Sequence, residues 1–552
     1  MKSYNIFFAC LLFSVTCSAH VCTHKKPKST RPLHIAKVSP LPPDLTCLRL
    51  NNPADLTGYE FYQNVTFDPQ LAVNPKNPKN MVLVIQQDVL TNAVYNGSAT
   101  LSMATLYTMD GGISWNQSDL VFSRCQGATN YKANDNFMSA YFPSVTFDRE
   151  GNCYVLSSSY NLFSANQKCE DNYDEGNVVA KSTNGGISWD QVSAAYRDDG
   201  TCHFLDFPQI KGDRYRKNTV YIVSSDHTCL VSEDCSDPDF TGNQNVLFQK
   251  STDGGISWSD PLIIGSFPPD DTENCTPRPI LNQLVVLPDH HNTLLVTTVL
   301  QSHVPGHLVP TPSDKILLWR SEDGGDTWKE YVVTDSVEHV MAIDPDSSDP
   351  ILPITGLIIK DMAVNHSNGW VYIAYADPDF NHSGSAGCVI RVSKDGGKSW
   401  SDSRPINPKT VDVQTFMPSV AVAEDGTVAV LFYDNRHFSP GDERLNTDVW
   451  VSFFNKELDH YYGEMRLTKH SFDTRMTVRG YNGVDPENCQ FDYYLSSNIG
   501  MEPNGNNFEA TFVVTNEGCP IASIGQFPCD SFPFQIDTCN RQDVVYVHIK
   551  RE

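Results

Sequence analysis

The chain has 552 residues, with 40 lysines and arginines against 66 aspartates and glutamates, which gives a formal net charge of −26. The acidic residues are spread along the chain, and a charge of this sign and size excludes binding to a nucleic-acid backbone as the main activity. No stretch reaches the roughly 20 consecutive apolar residues that cross a bilayer as a helix, so no membrane span is expected.

The first 19 residues have the pattern of a secretory signal. Lys2 precedes a short apolar run at residues 6–13, and small residues end at Ala19. This pattern predicts a signal peptide over residues 1–19 and a secreted, extracellular protein. Fourteen of the 16 cysteines lie beyond it without a Cys-x-x-Cys pair, which favours disulfides over a zinc site in an exported chain. Six sequons that would accept glycans begin at Asn64, Asn96, Asn116, Asn274, Asn365 and Asn381.

An octamer with a Gly-Gly pair and a final tryptophan recurs five times. Its copies occupy residues 108–115, 182–189, 251–258, 321–328 and 393–400, and successive tryptophans are 74, 69, 70 and 72 residues apart. The Ser/Thr hydroxyl and the Asp/Asn side chain can bond the amides of a turn, and the glycines permit positive φ. The octamer therefore predicts a hairpin turn with a structural role.

Six runs of β-branched and aromatic residues lie between the octamers, each opened by an Asn or Gly. They begin at Asn80, Asn152, Asn218, Asn292, Gly369 and Gly426, and their composition predicts buried strands. Each repeat is then three strands, the octamer turn and a fourth strand, which is a propeller blade. We expect an all-β, six-bladed propeller of four-stranded antiparallel blades over residues 58–488. An N-terminal segment, 20–57, precedes it, and a Cys-containing segment, 489–552, closes or caps it.

Strand order predicts which face carries function. The octamer joins the third and fourth strands, so the end of the second strand lies on the opposite face. Counting eight residues forward from each turn residue reaches Asp88, Tyr160, Asp226, Leu300, Asp377 and Asp434, four of them aspartates. Links between blades add Arg124, Asp206 and Arg278, and the last second strand adds Tyr433 and Arg436. Such a mixture of carboxylates, cations and aromatics suits a polar ligand, although Asp also ends strands as a turn former.

The octamers resemble the Asp box of sialidase-type (neuraminidase repeat) proteins, and residues 72–75, 86–88, 122–125, 433–436 and 447–450 resemble a secreted, sialidase-like group of them. The resemblance implies a glycosidase propeller in which arginines hold a substrate carboxylate, a tyrosine assisted by a glutamate attacks, and an aspartate is the acid/base. The resemblance points to Asp88 as the acid/base, to Tyr433 or Tyr493 as the phenol and to Arg278 and Arg436 as remaining arginines. Together with the residues of the face opposite the octamers, this gives Asp88, Asp434 and Tyr433 as catalytic candidates. The substrate-binding candidates are Arg124, Arg278, Arg436, Asp226 and Asp377. Asp68 stands where the family has its first arginine, so ordinary sialidase action is not expected.

Two functions from different classes fit these residues. The first is a glycoside hydrolase acting on extracellular glycans, and the second is a non-catalytic propeller that binds a glycan or a glycoprotein; a purely structural role is a third. No cofactor is expected. Acidic clusters at residues 233–239 and 344–349 could hold calcium through oxygen ligands, but they lack the Gly and Glu of a calcium loop.

Overall fold

A computed structural model describes residues 33–34, 59–92, 97–118, 120, 122–123, 137–160, 174–190, 192–199, 203–228, 242–268, 277–289, 292–301, 314–337, 342–348, 351, 360–377, 386–408, 413–482, 490–516, 518, 535–537, 539 and 541–551. Strands dominate this part of the chain, and its one helical element is a 3-10 turn at Thr474–Met476. The predicted signal peptide, Arg124 and the acidic cluster 233–239 lie outside it.

The strands form seven blades. The first strand, β1 (Leu33–His34), belongs to the last blade, blade 7. Blades 1 to 6 then follow in chain order. Blade 1 holds β2 (Tyr59–Val73), β3 (Met81–Asn92), β4 (Gly97–Thr108) and β5 (Asn116–Gln117); blade 2 holds β6 (Ser139–Phe147), β7 (Cys153–Tyr160), β8 (Asp174–Ser182) and β9 (Ser193–Asp199); blade 3 holds β10 (His203–Gly212), β11 (Val220–Thr228), β12 (Gln244–Ser251) and β13 (Leu262–Phe267). Blade 4 holds β14 (Arg278–Val286), β15 (Leu294–Gln301), β16 (Asp314–Ser321) and β17 (Lys329–Val337); blade 5 holds β18 (Lys360–Val364), β19 (Val371–Ala376), β20 (Cys388–Ser393) and β21 (Arg404–Pro405).

Blade 6 holds β22 (Thr415–Val422), β23 (Val428–Asp434), β24 (Asn446–Phe454) and β25 (Tyr461–Arg466), with β26 (Phe472–Asp473) beside β24. A hairpin of β27 (Val478–Asn482) and β28 (Gln490–Tyr494) follows. Blade 7 has the order β29-β30-β32-β1, with β29 (Gly500–Asn504), β30 (Asn507–Thr515) and β32 (Gln542–Ile549). Between them, β31 (Gln535–Asp537) pairs in parallel with β2 of blade 1.

The expectation of six blades is wrong, because the ring has seven. Blade 7 has no octamer, its second and third strands are separated by residues 516–541, and its outer strand β1 comes from the other end of the chain. A search for a sequential repeat misses such a blade. One signal was present: Asn507 opens a run of β-branched and aromatic residues, as Asn80 and Asn152 do in their blades. The segment after residue 489 therefore closes the ring.

Most inner strands share a bulge at which a non-glycine residue has positive φ. These residues are Asp68, Phe142, Phe207, Leu281 and Met417, with φ between 47° and 54°. The strand register shifts at each of them. Bulges bend a strand and re-aim its side chains, so the inner strands of blades 1, 2, 3, 4 and 6 bend at equivalent positions, whereas β18 and β29 pair without a register shift.

Hydrogen bonds at the bulges join neighbouring blades in a repeated way. Two residues after the bulge of blade 2, Ser144 Oγ accepts from the N–H of Ile210 in blade 3 at 3.1 Å. In blade 5, Asp361 Oδ2 accepts from the N–H of Val420 in blade 6 at 2.9 Å. At these two junctions a side chain of one blade thus satisfies a buried amide of the next, which helps to fix the angle between them.

The octamers are self-contained turns, as predicted. In the first, Asp110 Oδ1 accepts from the N–H of Ser114 at 2.9 Å, and Thr108 Oγ1 accepts from the N–H of Gly112 at 3.0 Å. The other four copies repeat both bonds. Bonds from Ser114 hold the pKa of Asp110 at about 2. The Asp/Asn and Ser/Thr side chains of the octamers therefore form hydrogen bonds within their own turns.

The second glycine of each octamer lies against the preceding blade. A Cβ on Gly112, whose φ is 83°, would lie 2.4 Å from the ring of Tyr546 in blade 7. In the same way Gly186 meets Val82 of blade 1 and Gly325 meets Phe248 of blade 3. The glycine is required here for close approach as well as for its φ. The contact between Gly112 and Tyr546 is one of those that close the ring.

Asp68 joins the first and last blades. It is fully buried, and its carboxylate accepts from Gln86 Nε2 at 3.0 Å, Tyr494 Oη at 3.2 Å, Ser496 Oγ at 2.8 Å and the N–H groups of Ser497 and Asn498. Residues 496–498 lead directly into β29, the inner strand of blade 7. The acid at the position where the resembling family has an arginine is thus a structural tie.

We expect Asp68→Ala to lower the free energy of unfolding by more than about 3 kcal/mol, because it leaves several buried donors unsatisfied. Asp68→Asn keeps one acceptor oxygen and tolerates the left-handed backbone, so it should cost less. Urea unfolding of both variants measures the effect, and Asp335→Asn, at an exposed position on β17, is the control. An Asp68→Ala protein as stable as the control would contradict this role.

Candidate functional site

The meander places the second-strand ends on the face opposite the octamers. Asp226 lies near the end of β11, Asp377 directly follows β19, and Asp434 ends β23. Asp88 lies four residues before the end of β3, fully buried and with a φ of 56°. The four aspartates therefore belong to blades 1, 3, 5 and 6. Asp377 is also buried, and its N–H donates to Gly387 at 2.8 Å.

Tyr433 is a bridge between blades 6 and 7. It is fully buried, and its hydroxyl donates to the carbonyl of Val513 at 3.0 Å and accepts from the N–H of Val513 at 2.9 Å. Burial raises the pKa of the phenol well above its usual range. Both hydrogen-bonding capacities of the oxygen are used by one backbone residue, an arrangement that favours bracing over nucleophilic attack.

Asp434 and Arg436 belong to an ion-pair network in blade 6. Arg436 Nε donates to Asp434 Oδ2 at 2.6 Å, and its Nη1 contacts Glu464. The guanidinium also lies 3.7 Å from the centre of the Trp450 ring. Burial raises the pKa of Asp434 to about 6, although Arg436 opposes the shift. Arg436 is shared between two carboxylates and a ring, so it has little capacity left for a ligand.

Blades 3 and 4 bring a different group together near the axis. Asp206, on β10, is 5% exposed, and its Oδ2 lies 3.9 Å from His227 Nε2. Arg278, at the start of β14, is close enough to lower the pKa of both Asp206 and His227. We call these three side chains the Asp206 cluster. The strand register explains why these side chains meet. Phe204 pairs with His227, and Asp206 pairs with Ser225. Asp206 and His227 therefore lie on the same face of the sheet, toward blade 4.

Burial dominates the protonation of the Asp206 cluster. Desolvation raises the pKa of Asp206 to about 7, against the opposing effects of Arg278 and of the N–H of Phe207. Desolvation and then Arg278 lower the pKa of His227 well below its usual range. Near neutral pH the cluster therefore holds an acid close to half-protonation, a neutral imidazole and a guanidinium.

Asp226 lies on the other face of the same sheet. Its Oδ1 is 2.7 Å from His203 Nδ1, and its Oδ2 accepts from Asn245 Nδ2 at 3.0 Å. The Asp226 side chain is 8% exposed. Asp226 thus orients the partly exposed His203 at the rim of blade 3.

A tyrosine and a glutamate from blade 2 pack against β10. Tyr141 Oη lies 3.2 Å from Glu175 Oε1 and 2.9 Å from the carbonyl oxygen of Leu205. Glu175 is fully buried, and its Oε2 accepts from the N–H of Leu205, the neighbour of Asp206, at 2.8 Å. Sequence reasoning missed this pair, because Glu175 begins a third strand and only second-strand ends were counted.

Aromatic rings surround Tyr141. Its ring centre lies 5.0 Å from that of Tyr160, 4.8 Å from Phe142 and 6.3 Å from Phe204. Tyr160, Phe142 and Phe204 are each partly exposed. Apolar ring faces beside hydrogen-bonding groups are the usual lining of a small-molecule site. Blades 2 to 4 therefore combine an aromatic wall with two carboxylates and a cation.

Within the described residues, no group of three or more His, Cys, Asp and Glu side chains is arranged to hold a metal ion. In the acidic cluster at 344–349, Asp344 accepts from Arg475 at 2.6 and 2.8 Å, and Asp346 accepts from Arg475 at 3.0 Å. A guanidinium thus occupies the oxygens that calcium would need. The described part of the chain has no helix long and apolar enough to cross a membrane.

No protein-family model and no curated protein matches the chain. Among solved structures, it is similar to the NanB sialidase of Streptococcus pneumoniae, with 10% identity, a TM-score of 0.41 and coverage of 95% of this chain and 99% of that one. A leech intramolecular trans-sialidase is 11% identical, with a TM-score of 0.39 and coverage of 81% of this chain and 88% of that one. An alpha-L-arabinofuranosidase of Fusarium graminearum is 12% identical, with a TM-score of 0.38 and coverage of 73% of this chain and 93% of that one. These values concern the propeller fold and carry no argument about activity.

The titration of Asp206 should make the free energy of unfolding depend on pH. Its pKa is about 7 in the folded protein and about 3.9 in an unfolded chain. A raised pKa means stability that is present below about pH 4 and lost as the pH rises through about 7. Asp206→Asn removes this loss, so from pH 4 to pH 8 its free energy of unfolding should gain on the wild type by up to about 4 kcal/mol.

Urea unfolding at several pH values measures this difference. Asp335→Asn, which changes an exposed acid, should follow the wild-type curve. A difference between Asp206→Asn and the wild type that stays constant with pH would contradict the buried, titrating acid.

Proposed function

We propose that the chain is a secreted glycoside hydrolase whose site lies on the face opposite the octamers, across blades 2 to 4. The observation that carries the proposal is the arrangement around β10. Asp206, an acid with a pKa of about 7, faces blade 4, and the hydrogen-bonded pair of Tyr141 and Glu175 lies on the side of blade 2. Glycosidic cleavage needs a proton donor and a second group that attacks or activates water.

Asp206 has the properties of the general acid. A catalytic acid works best when its pKa lies near the operating pH, since it must both hold and release a proton. Burial supplies that pKa, and Arg278 limits the shift. Arg278 also offers a cation to an anionic or strongly polar sugar substituent.

Tyr141 and Glu175 have the properties of a nucleophile and its base. A phenol is a weak nucleophile unless a neighbouring group accepts its proton. Glu175 lies within hydrogen-bonding distance, at 3.2 Å, and is itself held by the N–H of Leu205. Tyr141 retains 8% exposure beside Tyr160, whose ring can lie against a sugar face. The resembling family uses the same residue types, a tyrosine assisted by a glutamate.

A non-catalytic glycan-binding propeller is the second candidate. It is favoured by the contacts of two catalytic candidates. Tyr433 is hydrogen-bonded to the backbone of Val513, and Asp434 is paired with Arg436. In that case the aromatic wall and Arg278 would hold a sugar without cleaving it. Asp88 remains a candidate acid, because the resemblance points to it and it lies on the same face.

An activity screen of the purified protein on aryl glycosides and natural oligosaccharides, sialosides included, tests the first candidate. Asp206→Asn should lower kcat/KM by about 10²–10⁴-fold. The loss should be larger for natural substrates, whose alkoxide leaving groups need a proton more than a phenolate does. Tyr141→Phe should abolish turnover on both. Asp335→Asn is the matched charge control.

Two outcomes would redirect the proposal. A large loss in Asp88→Asn with full activity in Asp206→Asn would move the general acid to blade 1. No turnover on any sugar, together with glycan-array binding that Arg278→Gln removes, would replace the hydrolase by the binding protein.

A further inference from the structure

The inner strands of the blades enclose a central channel that opens toward the octamer face. It is lined by residues of the seven inner strands β2, β6, β10, β14, β18, β22 and β29. The strands run from the proposed sugar site toward the octamers, and the channel follows their second halves. It is therefore separate from the Asp206 cluster, which lies at the other end of β10.

The mouth of this channel carries an unusual concentration of cations. Residues 211–217, which end β10 and form the following turn, contain Lys211, Arg214, Arg216 and Lys217 but one acid, Asp213, in a chain with a net charge of −26. Arg216 pairs with Asp213 at 2.9 Å, and Lys217 lies 3.8 Å from Glu150. Two of the four cations thus have carboxylate partners.

The other two cations line the channel. Lys211 and Arg214 are partly exposed and contribute to the channel wall. Within the part of the chain that the structure describes, no carboxylate lies within ion-pair distance of either side chain. Two neighbouring cations without a counter-ion repel each other, so an anion between them would relieve that repulsion.

Tyr215 and His366 complete the mouth. Tyr215 Oη lies 2.7 Å from His366 Nδ1, a contact that joins blade 3 to blade 5 across the opening. His366 is solvent-exposed, and the neighbouring charges of Arg214 and Lys211 lower its pKa, so the imidazole is neutral at physiological pH. The pair offers hydrogen-bonding groups without adding charge.

The acids farther along the wall are not aimed at these cations. Asp361 accepts from Ser419 Oγ at 2.8 Å and from the N–H of Val420, and burial raises its pKa. Lys360 donates to Thr297 Oγ1 at 2.9 Å. Glu502, on β29, interacts with Asp361. Asp361 and Lys360 are thus engaged with neighbouring blades. Nearer the mouth, Asp213 is paired with Arg216, and Asp289 lies close enough to act electrostatically on Tyr215.

We propose that the octamer-face mouth of the channel binds a small oxyanion, held by Arg214 and Lys211 beside the Tyr215–His366 pair. A guanidinium offers paired donors that match two oxygens of a sulfate, phosphate or carboxylate, and an ammonium adds a point charge. A free oxyanion and an oxyanion substituent of a small ligand present the same oxygens to these donors. The proposal is independent of the glycosidase site, because it uses another face and other residues.

Titration calorimetry of the full chain at pH 7 tests the site, with sodium sulfate, phosphate and acetate as separate probes and with ionic strength held constant by sodium chloride. We expect saturable 1:1 binding of at least one probe, with a Kd of about 1 mM or below. Arg214→Gln and Lys211→Gln should each weaken it by about tenfold or more.

Lys217→Gln is the matched control, since it removes the same charge from the same turn but at an exposed side chain that does not line the channel. It should bind the probe as the wild type does. Thermal unfolding in chloride checks that every variant is folded. Absence of saturable binding for all three probes, or an equal loss in Lys217→Gln and Arg214→Gln, would overturn the site. Glycosidase activity should be unchanged in Arg214→Gln, which separates this test from that of the proposed function.

Discussion

Closure of the ring is the constraint on which the rest of this structure depends. A seven-bladed propeller is stable only when its last blade packs between the sixth and the first, since an open ring would leave two sheet faces exposed. Here closure uses Asp68, which binds the residues before β29, and Tyr546, which lies on Gly112. Tyr433 makes the matching contact on the other side, with Val513. The outer strand of blade 7 comes from residues 33–34, so both ends of the chain take part.

This constraint changes the meaning of several polar residues. Buried acids and tyrosines in a propeller have two possible roles, in catalysis and in joining blades, and their residue types alone do not separate the two. Asp68, Asp361 and Tyr433 each bind the backbone of a neighbouring blade, as Tyr141 and Glu175 also do at Leu205, and such bonds satisfy buried backbone groups. Asp206 differs, because its main neighbours are Arg278 and His227 rather than a backbone amide of another blade. That difference makes it the better candidate for chemistry.

The two faces of the ring have separate characters. The octamer face is built from short turns whose Asp and Ser side chains bond one another, and the mouth of the channel opens there beside Lys211 and Arg214. The opposite face carries aromatic rings and acids near the axis at blades 2 to 4. A sugar and a small oxyanion could therefore be bound at the same time, one at each end of β10.

The sequence by itself determined the blade pattern, the turn chemistry of the octamers and the face on which the second strands end, because these depend on local spacing and on the conformations that glycine permits. It also pointed to Asp206 and Arg278 as residues of that face. The tertiary structure decided the seventh blade, since its strands come from distant segments. It also decided which polar residues meet. Glu175 reaches the N–H of Leu205 only after blade 2 packs on blade 3, and Tyr215 meets His366 only once blades 3 and 5 stand around the closed channel. Burial and neighbouring charge, which set the pKa of Asp206, exist only once the blades are assembled.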